Sequence, residues 1–242
     1  MKYNGQLRLE DAVLRTSLIA APVLMLLSGL VLPQLRGPDG TELSVSAGHP
    51  GRYYAYVLLG LASSVALIPA VYGIMRRVHP RHARLGAVGG VLAFIGAALS
   101  LADWGGELVK VEMGALNPAY HQAMAALLKR FDSSPRIAVP LQLAGIGFLL
   151  GMILLAIALF RGRTAPGWVC IGLTAGTIGN LAGFATGSLL VLDLGNAALL
   201  ASMAYLAARP PAPDDALTER RADYVLSDTA QGTTNGATTS VR

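Results

Sequence analysis

Asp193 is the acidic side chain that lies deepest inside an apolar stretch of this sequence. It follows Ser188, where the last apolar stretch begins, by five residues. At a rise of about 1.5 Å per residue, this spacing places it roughly 8 Å from the end of that stretch. An ionised carboxylate is costly inside a bilayer and usually faces a bundle interior or a water-filled cavity. Asp193 is therefore the first candidate for contact with a proton, a cation or a polar solute.

Further polar side chains fall at a similar depth in the apolar stretches. Asn196 follows Asp193 by three residues and shares its helix face. The others lie in the outer parts of three earlier stretches: Asp103, Ser100, Gln142, Thr177 and Asn180. These groups predict a polar pocket that opens at one membrane surface. The alternative is a structural role, in which Asp193 hydrogen-bonds Asn180 or Asn196 and holds helices together.

A second charged set follows the third apolar stretch and consists of Asp103, Glu107, Lys110 and Glu112. Glu107 and Lys110 are three residues apart and can pair across one helical turn, which favours a solvated helix extension. A pocket mouth that attracts cations is the alternative.

Several kinds of membrane chemistry are excluded by residue type and position. Haem ligation between helices needs histidine inside the membrane, but all the histidines fall in loops: His49, His79, His82 and His121. A retinal Schiff base needs a lysine at mid-span, and the lysines lie outside the stretches: Lys2, Lys110 and Lys129. The sequence has no His-Glu-x-x-His motif and no phosphate-binding Gly-Lys loop. No catalytic residue, cofactor or metal site is predicted.

The composition requires a lipid environment. Hydrophobic residues make up 53% of the 242 residues and charged residues only 14%, against about a quarter charged in soluble domains. The single cysteine, Cys170, cannot form a disulfide within the chain. Basic residues are divided among short turns and form no stripe, so nucleic acid is not an expected partner.

Uncharged runs long enough to cross a bilayer, about 17 residues or more, predict six spans. They cover about residues 16–33, 53–75, 85–104, 137–160, 167–185 and 188–208. Aromatic residues near the predicted ends suggest interfacial belts, with Tyr53, Tyr54, Tyr56 and Trp104 at one surface. The predicted fold is therefore an all-α, polytopic transmembrane bundle.

Lysines and arginines predict that both termini are cytoplasmic. On that side lie ten: Lys2, Arg8, Arg15, Arg76, Arg77, Arg81, Arg84, Arg161, Arg163 and Arg209. The outer side carries six: Arg36, Arg52, Lys110, Lys129, Arg130 and Arg136. The short inner turns contain no acid, whereas Asp39 and Glu42 offset the basic residues of the first outer loop.

Three segments are predicted outside the bilayer. Residues 1–15 form a short cytoplasmic N-terminus, and residues 209–242 form a cytoplasmic, largely disordered tail. Residues 105–134 form an outer loop whose second half has helical periodicity, with Tyr120, Met124, Leu127, Leu128 and Phe131 on one face. This amphipathic segment is expected to lie on the outer leaflet or to cover the bundle.

Glycines four residues apart predict close helix packing. They are Gly172 and Gly176, then Gly179, Gly183 and Gly187, and in span four Gly147 and Gly151. Packing within the chain is the preferred interpretation. Contact with a membrane-protein partner or a second copy through these faces is the alternative.

The chain resembles a broad group of uncharacterised small multispan bacterial membrane proteins. Three segments carry the resemblance: Gly48-His49-Pro50-Gly51-Arg52, the turn at residues 76–81, and residues 159–168. It covers most of residues 12–208 and implies a membrane-spanning bundle, but it brings no established activity and no functional residues.

The sequence thus predicts a multi-pass plasma-membrane protein that serves as a non-enzymatic accessory or structural component. A transporter for a proton, a cation or a small solute, with its pocket around Asp193, is the first alternative. A lipid-modifying enzyme is the second, and it would need an acid/base pair from Asp103, Glu107 and Asp193.

Overall fold

The chain folds into α-helices in this computed structural model, which describes residues 2–32, 34–36, 42–116 and 120–209. The helices are α1 (Lys2–Val31), α2 (Glu42–Gly48), α3 (Pro50–Met75), α4 (Ala83–Ala115), α5 (His121–Asp132), α6 (Pro135–Arg161), α7 (Gly167–Thr186) and α8 (Leu189–Ala208). A 3-10 helix at Pro80–His82 precedes α4. Nearly all of the tail predicted at 209–242 lies outside the described residues.

Six of these helices are long and apolar enough to cross a membrane: α1, α3, α4, α6, α7 and α8. The all-helical class and the six candidate spans are therefore confirmed. The structure differs from the predicted boundaries at α4, whose 33 residues would extend about 50 Å, beyond a bilayer core of about 30 Å. Its last turns occupy 105–115, where a loop was predicted.

The six long helices form a closed ring. Each packs on the next in chain order, and α8 packs back on α1. The short helix α2 packs on α3 and α4, and α5 touches α4 and α6. We call the end of the ring near Val31, Ala115 and Thr186 the α5 end, and the end near Met75, Arg161 and Ala208 the terminal end.

Apolar packing fills the terminal half of the ring. Its largest cluster joins all six long helices, with Leu18, Ile74, Leu155, Leu173 and Met203 at most 1% exposed. This half of the bundle is consequently closed.

Arg77 lies buried at the terminal end, with only 3% of its surface exposed. Its guanidinium donates to the carbonyl oxygens of Leu206 (2.8 Å), Gly73 (2.6 Å) and Arg209 (3.3 Å). Arg77 thereby joins the end of α3 to the end of α8, where helix dipoles favour a positive charge. Burial lowers its pKa, although a guanidinium stays charged throughout the physiological range.

Glycines allow two helix pairs to pack backbone against backbone. A Cβ at Gly151 of α6 would lie 2.6 Å from the Gly89 carbonyl oxygen of α4. A Cβ at Gly176 of α7 would lie 2.8 Å from the Gly195 carbonyl oxygen of α8. The predicted glycine faces of α6 and α7 are therefore occupied by helices of the same chain.

Replacing Gly151 with Ala is expected to lower the free energy of unfolding by about 1–3 kcal/mol, because α4 backbone atoms must move. Gly147→Ala is the matched control, since its Cβ would have the Leu92 carbonyl oxygen at 3.8 Å as its nearest neighbour. Thermal unfolding of the detergent-solubilised protein measures both effects. Equal stability of the two variants would contradict the close α4–α6 packing.

Candidate solute cavity

A cavity of about 1130 Å³ occupies the ring at its α5 end. Every long helix except α8 contributes to its wall, together with α2 and α5. Ligand pockets usually measure about 300–1,000 Å³, so this volume would hold a sizeable organic molecule. Because the apolar cluster closes the terminal half, the cavity ends inside the bundle.

One wall of the cavity, formed by α3 and α4, carries hydroxyl and charged side chains. The Ser100 hydroxyl lies 3.1 Å from the Ser64 hydroxyl and donates to the Ala97 carbonyl oxygen at 2.7 Å. Asp103 stands one helical turn further toward the α5 end and lines the cavity. Polar groups thus follow α4 from mid-helix to the cavity mouth.

A group of paired charges stands at the mouth. The Lys110 ammonium contacts the carboxylates of Glu42 and Glu107, and the Tyr53 hydroxyl donates to Glu107. Lys110 and Glu107 are mostly buried, with side chains 15% and 12% exposed, whereas Glu42 is 42% exposed. Two carboxylates against one ammonium leave this group with one excess negative charge when all three are ionised. Exposed Arg36 and Lys129 add positive charge to the wall.

The inner end of the cavity contains an amide pair. Asn180 lines the cavity and donates to the Asn196 carbonyl oxygen at 2.7 Å, while Asn196 itself is 1% exposed. The Asn196 amide reaches the Met25 carbonyl oxygen at 3.5 Å. These contacts connect α7, α8 and α1. Asn180 also lines a second pocket of about 20 Å³, which is room for about one water molecule.

A second wall, formed by α6 and α7, is predominantly apolar. It consists of Leu141, Ala144, Gly145, Phe148 and Leu149 of α6 with Thr177, Asn180, Leu181 and Phe184 of α7. The cavity is therefore amphipathic, with polar groups on α3 and α4 and a mainly apolar wall on α6 and α7.

Helix α5 lies beside the mouth. Ala125, Ala126, Leu128 and Lys129 face the cavity, while Tyr120 and Leu127 are about 60% exposed. Residues of α5 thus form part of the cavity wall. The strongest contacts of α5 among the described residues are with α4 and α6.

The residues singled out from the sequence occupy different places. Asp103 and Asn180 line the cavity. Asn196 does not line it but accepts a hydrogen bond from Asn180. Asp193 instead lies against Gly29 of α1, where one carboxylate oxygen is buried without a hydrogen-bond partner among the described residues. Gln142 is exposed and is not among the residues that line the cavity.

The sequence did not reveal the charge contacts at the cavity mouth or the aromatic packing beside them. Tyr53, Tyr56 and Trp104 were predicted to form an interfacial belt, but they are 1%, 6% and 9% exposed. They pack against one another, with the Tyr56 and Trp104 rings 5.0 Å apart, because their faces of α3 and α4 meet. The Trp104 ring lies where a Cβ on Gly60 would stand, so this glycine makes room for the indole.

Two asparagine variants should separate stability from cavity chemistry. Asn180→Ala and Asn196→Ala both remove the bond between the amides and should each cost about 0.6 kcal/mol, the average for such bonds in membranes. Only Asn180→Ala changes the cavity wall, so only this variant should alter retention of a bound solute. Thermal unfolding and native mass spectrometry of both variants measure the two effects. Equal loss of solute in both variants would contradict the assignment of Asn180, and not Asn196, to the cavity wall.

Comparison of the chain with protein-family models, with curated proteins and with solved structures finds no match. Among the described residues, no three histidine, cysteine or acidic side chains lie together as a metal site would require.

Proposed function

We propose that this chain is a multi-pass plasma-membrane protein that binds an amphipathic solute in a cavity open to the outside of the cell. The arrangement corresponds to a transporter in its outward-open state. The observation that carries this proposal is a large cavity with one polar and one apolar wall, closed at the terminal half of the ring.

The orientation follows from the distribution of basic side chains. The turns at the terminal end carry Arg76, Arg77, Arg81, Arg84, Arg161 and Arg163. Positive charge in short loops favours the cytoplasmic side, so the α5 end faces outward. In this orientation the cavity mouth meets the external medium.

The walls support an amphipathic solute. A purely structural bundle in lipid gains stability from close packing of small residues, as α7 and α8 do. At the α5 end the helices lack this close packing, because a cavity of about 1130 Å³ lies between them. Its Ser64–Ser100 pair and Asn180 offer hydrogen bonds to a polar part of the solute, and Phe148 and Leu181 offer apolar contact.

Side-specific labelling tests the outward cavity. Ser100→Cys, in a chain whose own Cys170 is replaced by Ala, is treated with a membrane-impermeant maleimide in right-side-out and inverted vesicles. Ser100 lines the cavity, so labelling is expected from the outer side. Ser202→Cys is the matched control, because Ser202 is 1% exposed on α8 and should stay unlabelled from either side.

Labelling of the cysteine at position 100 only in inverted vesicles would reverse the proposed orientation. Labelling from neither side would show that the cavity is closed to water. Either result would overturn the proposal.

An accessory role is a second candidate, and Asp193 is the observation that favours it. This side chain is only partly buried on α8 and lies outside the cavity lining. A basic side chain on a partner helix would neutralise it. Copurification of a stoichiometric partner that is lost in Asp193→Asn would support this role, whereas a pure single chain from gently solubilised membranes would argue against it.

A further inference from the structure

The contact between α6 and α7 differs from the close-packed α4–α6 and α7–α8 contacts. Helix α6 places the backbone of Gly151 against α4, and α7 places the backbone of Gly176 against α8. Both close-packed faces therefore point away from the boundary between α6 and α7.

At the α5 end, these two helices approach each other through side chains. The nearest neighbour of a Cβ at Gly145 is the Leu181 side chain, 3.9 Å away. Leu141, Leu181 and Phe184 line the cavity and are 37%, 42% and 38% exposed. We call this apolar boundary, formed by Leu141 and Gly145 of α6 with Leu181 and Phe184 of α7, the α6–α7 seam.

The seam differs chemically from the cavity mouth. Aliphatic and aromatic side chains dominate it, and such a surface matches an acyl chain. The mouth carries charges of both signs, from Glu42, Glu107 and Lys110 to Arg36 and Lys129. A head group that contains a phosphate and an amine would find opposite charges there.

We infer that the solute is a membrane phospholipid, which reaches the cavity sideways through the α6–α7 seam. One of its two acyl chains lies along the seam, and its head group lies at the charged mouth. This inference rests on the proposed function and specifies the solute class. It requires that α6 and α7 separate enough to admit an acyl chain. Helices that touch through side chains separate more readily than helices that touch backbone to backbone.

The two tryptophans of the chain provide an internal probe. Trp104 is 9% exposed on the cavity wall, whereas Trp168 is 52% exposed at the start of α7. Bromine on a lipid acyl chain quenches indole fluorescence only near contact. In Trp168→Phe, the remaining Trp104 should therefore be quenched only by a brominated acyl chain that has entered the cavity.

The experiment compares this variant in vesicles of dioleoylphosphatidylcholine and of the same lipid brominated on its acyl chains. Trp104 fluorescence is expected to fall in the brominated vesicles. Trp104→Phe, which leaves Trp168, shows the loss for a tryptophan outside the cavity. Absence of Trp104 quenching would overturn the inference.

Two bulky variants test the route. Gly145→Phe places a ring at the seam and should restore most of the Trp104 fluorescence in brominated vesicles. Gly147→Phe is the matched control, because it adds the same ring on α6 outside the cavity lining and should leave the quenching unchanged. Quenching that persists fully in Gly145→Phe would overturn the α6–α7 route. If this variant fails to fold, Gly145→Leu makes the same comparison with a smaller side chain.

Acrylamide added from outside separates this inference from the proposed function. Quenching of Trp104 by acrylamide but not by brominated lipid would leave an outward cavity and reject a lipid solute. Quenching by neither would reject both.

Discussion

Replacing Lys110 with Met is expected to lower the free energy of unfolding by about 3 kcal/mol, the lower end of the range for breaking a buried ion pair. The ammonium pairs with the carboxylates of both Glu42 and Glu107 and joins α2 to α4. Without it, Glu107 would remain mostly buried with a nearby carboxylate and no cation. The partial exposure of Glu42 keeps the effect from being larger. Reversible SDS titration of the purified protein measures the change.

Two further variants define the cause of this loss. Lys129→Met removes an exposed positive charge from the same cavity and should change stability by less than about 0.5 kcal/mol. Combining Lys110→Met with Glu107→Gln should recover part of the stability, because the buried charge left unpaired is then removed. A Lys110→Met protein as stable as the parent would show that the ion pairs at the mouth do not hold α2 in place.

Replacing Arg77 with Met is expected to cost about 3 kcal/mol, because charged hydrogen bonds contribute about 1.5–3 kcal/mol each and the side chain donates to carbonyls of two helices. The loss should appear first as separation of the ends of α3 and α8. Arg77→Lys should recover only part of the stability, since one ammonium lacks the planar fork that spans both helix ends. Thermal unfolding of the solubilised protein ranks the variants.

The neighbouring arginine supplies the control. Arg76 pairs with Glu10 at 2.9 Å, but both side chains are more than a third exposed. Such surface pairs contribute about 0–1 kcal/mol, so Arg76→Met should have little effect. Equal losses in the Arg76 and Arg77 variants would mean that net positive charge, rather than the buried hydrogen bonds, stabilises this end.

Hydropathy was sufficient to predict the number of long helices, because each must satisfy its backbone internally and present an apolar surface to lipid. It could not predict where α4 ends. Residues 105–115 continue the helix as a partly charged segment, and their charges ended the hydropathy signal without ending the helix. Helix α2 was not predicted either, since seven residues carry too little periodicity.

Asp193 and Asn196 show why depth along a helix is easier to predict than direction. Residues three apart differ by about 60° around a helix that turns about 100° per residue. At this angle two residues can share a broad helix face and still contact different neighbouring helices. Asn196 consequently reaches Asn180 of α7, while Asp193 meets Gly29 of α1.

The mouth charges depended on contacts distant in sequence. Lys110 and Glu107 were expected to pair across one turn, and they do. Glu42, 68 residues before Lys110, completes the group because α2 packs on α4. No local pattern specifies that contact. The same is true of Arg77, which was interpreted as one of several cytoplasmic charges and whose side chain also holds two helix ends together.

Native mass spectrometry of the protein, released gently from its own membrane, tests most directly whether the cavity binds a solute. The parent chain and Gly147→Phe are expected to retain one amphipathic molecule per chain, and Gly145→Phe should lose it. Detection of the bare chain alone, or of equal retention in all three proteins, would contradict a solute site in this cavity.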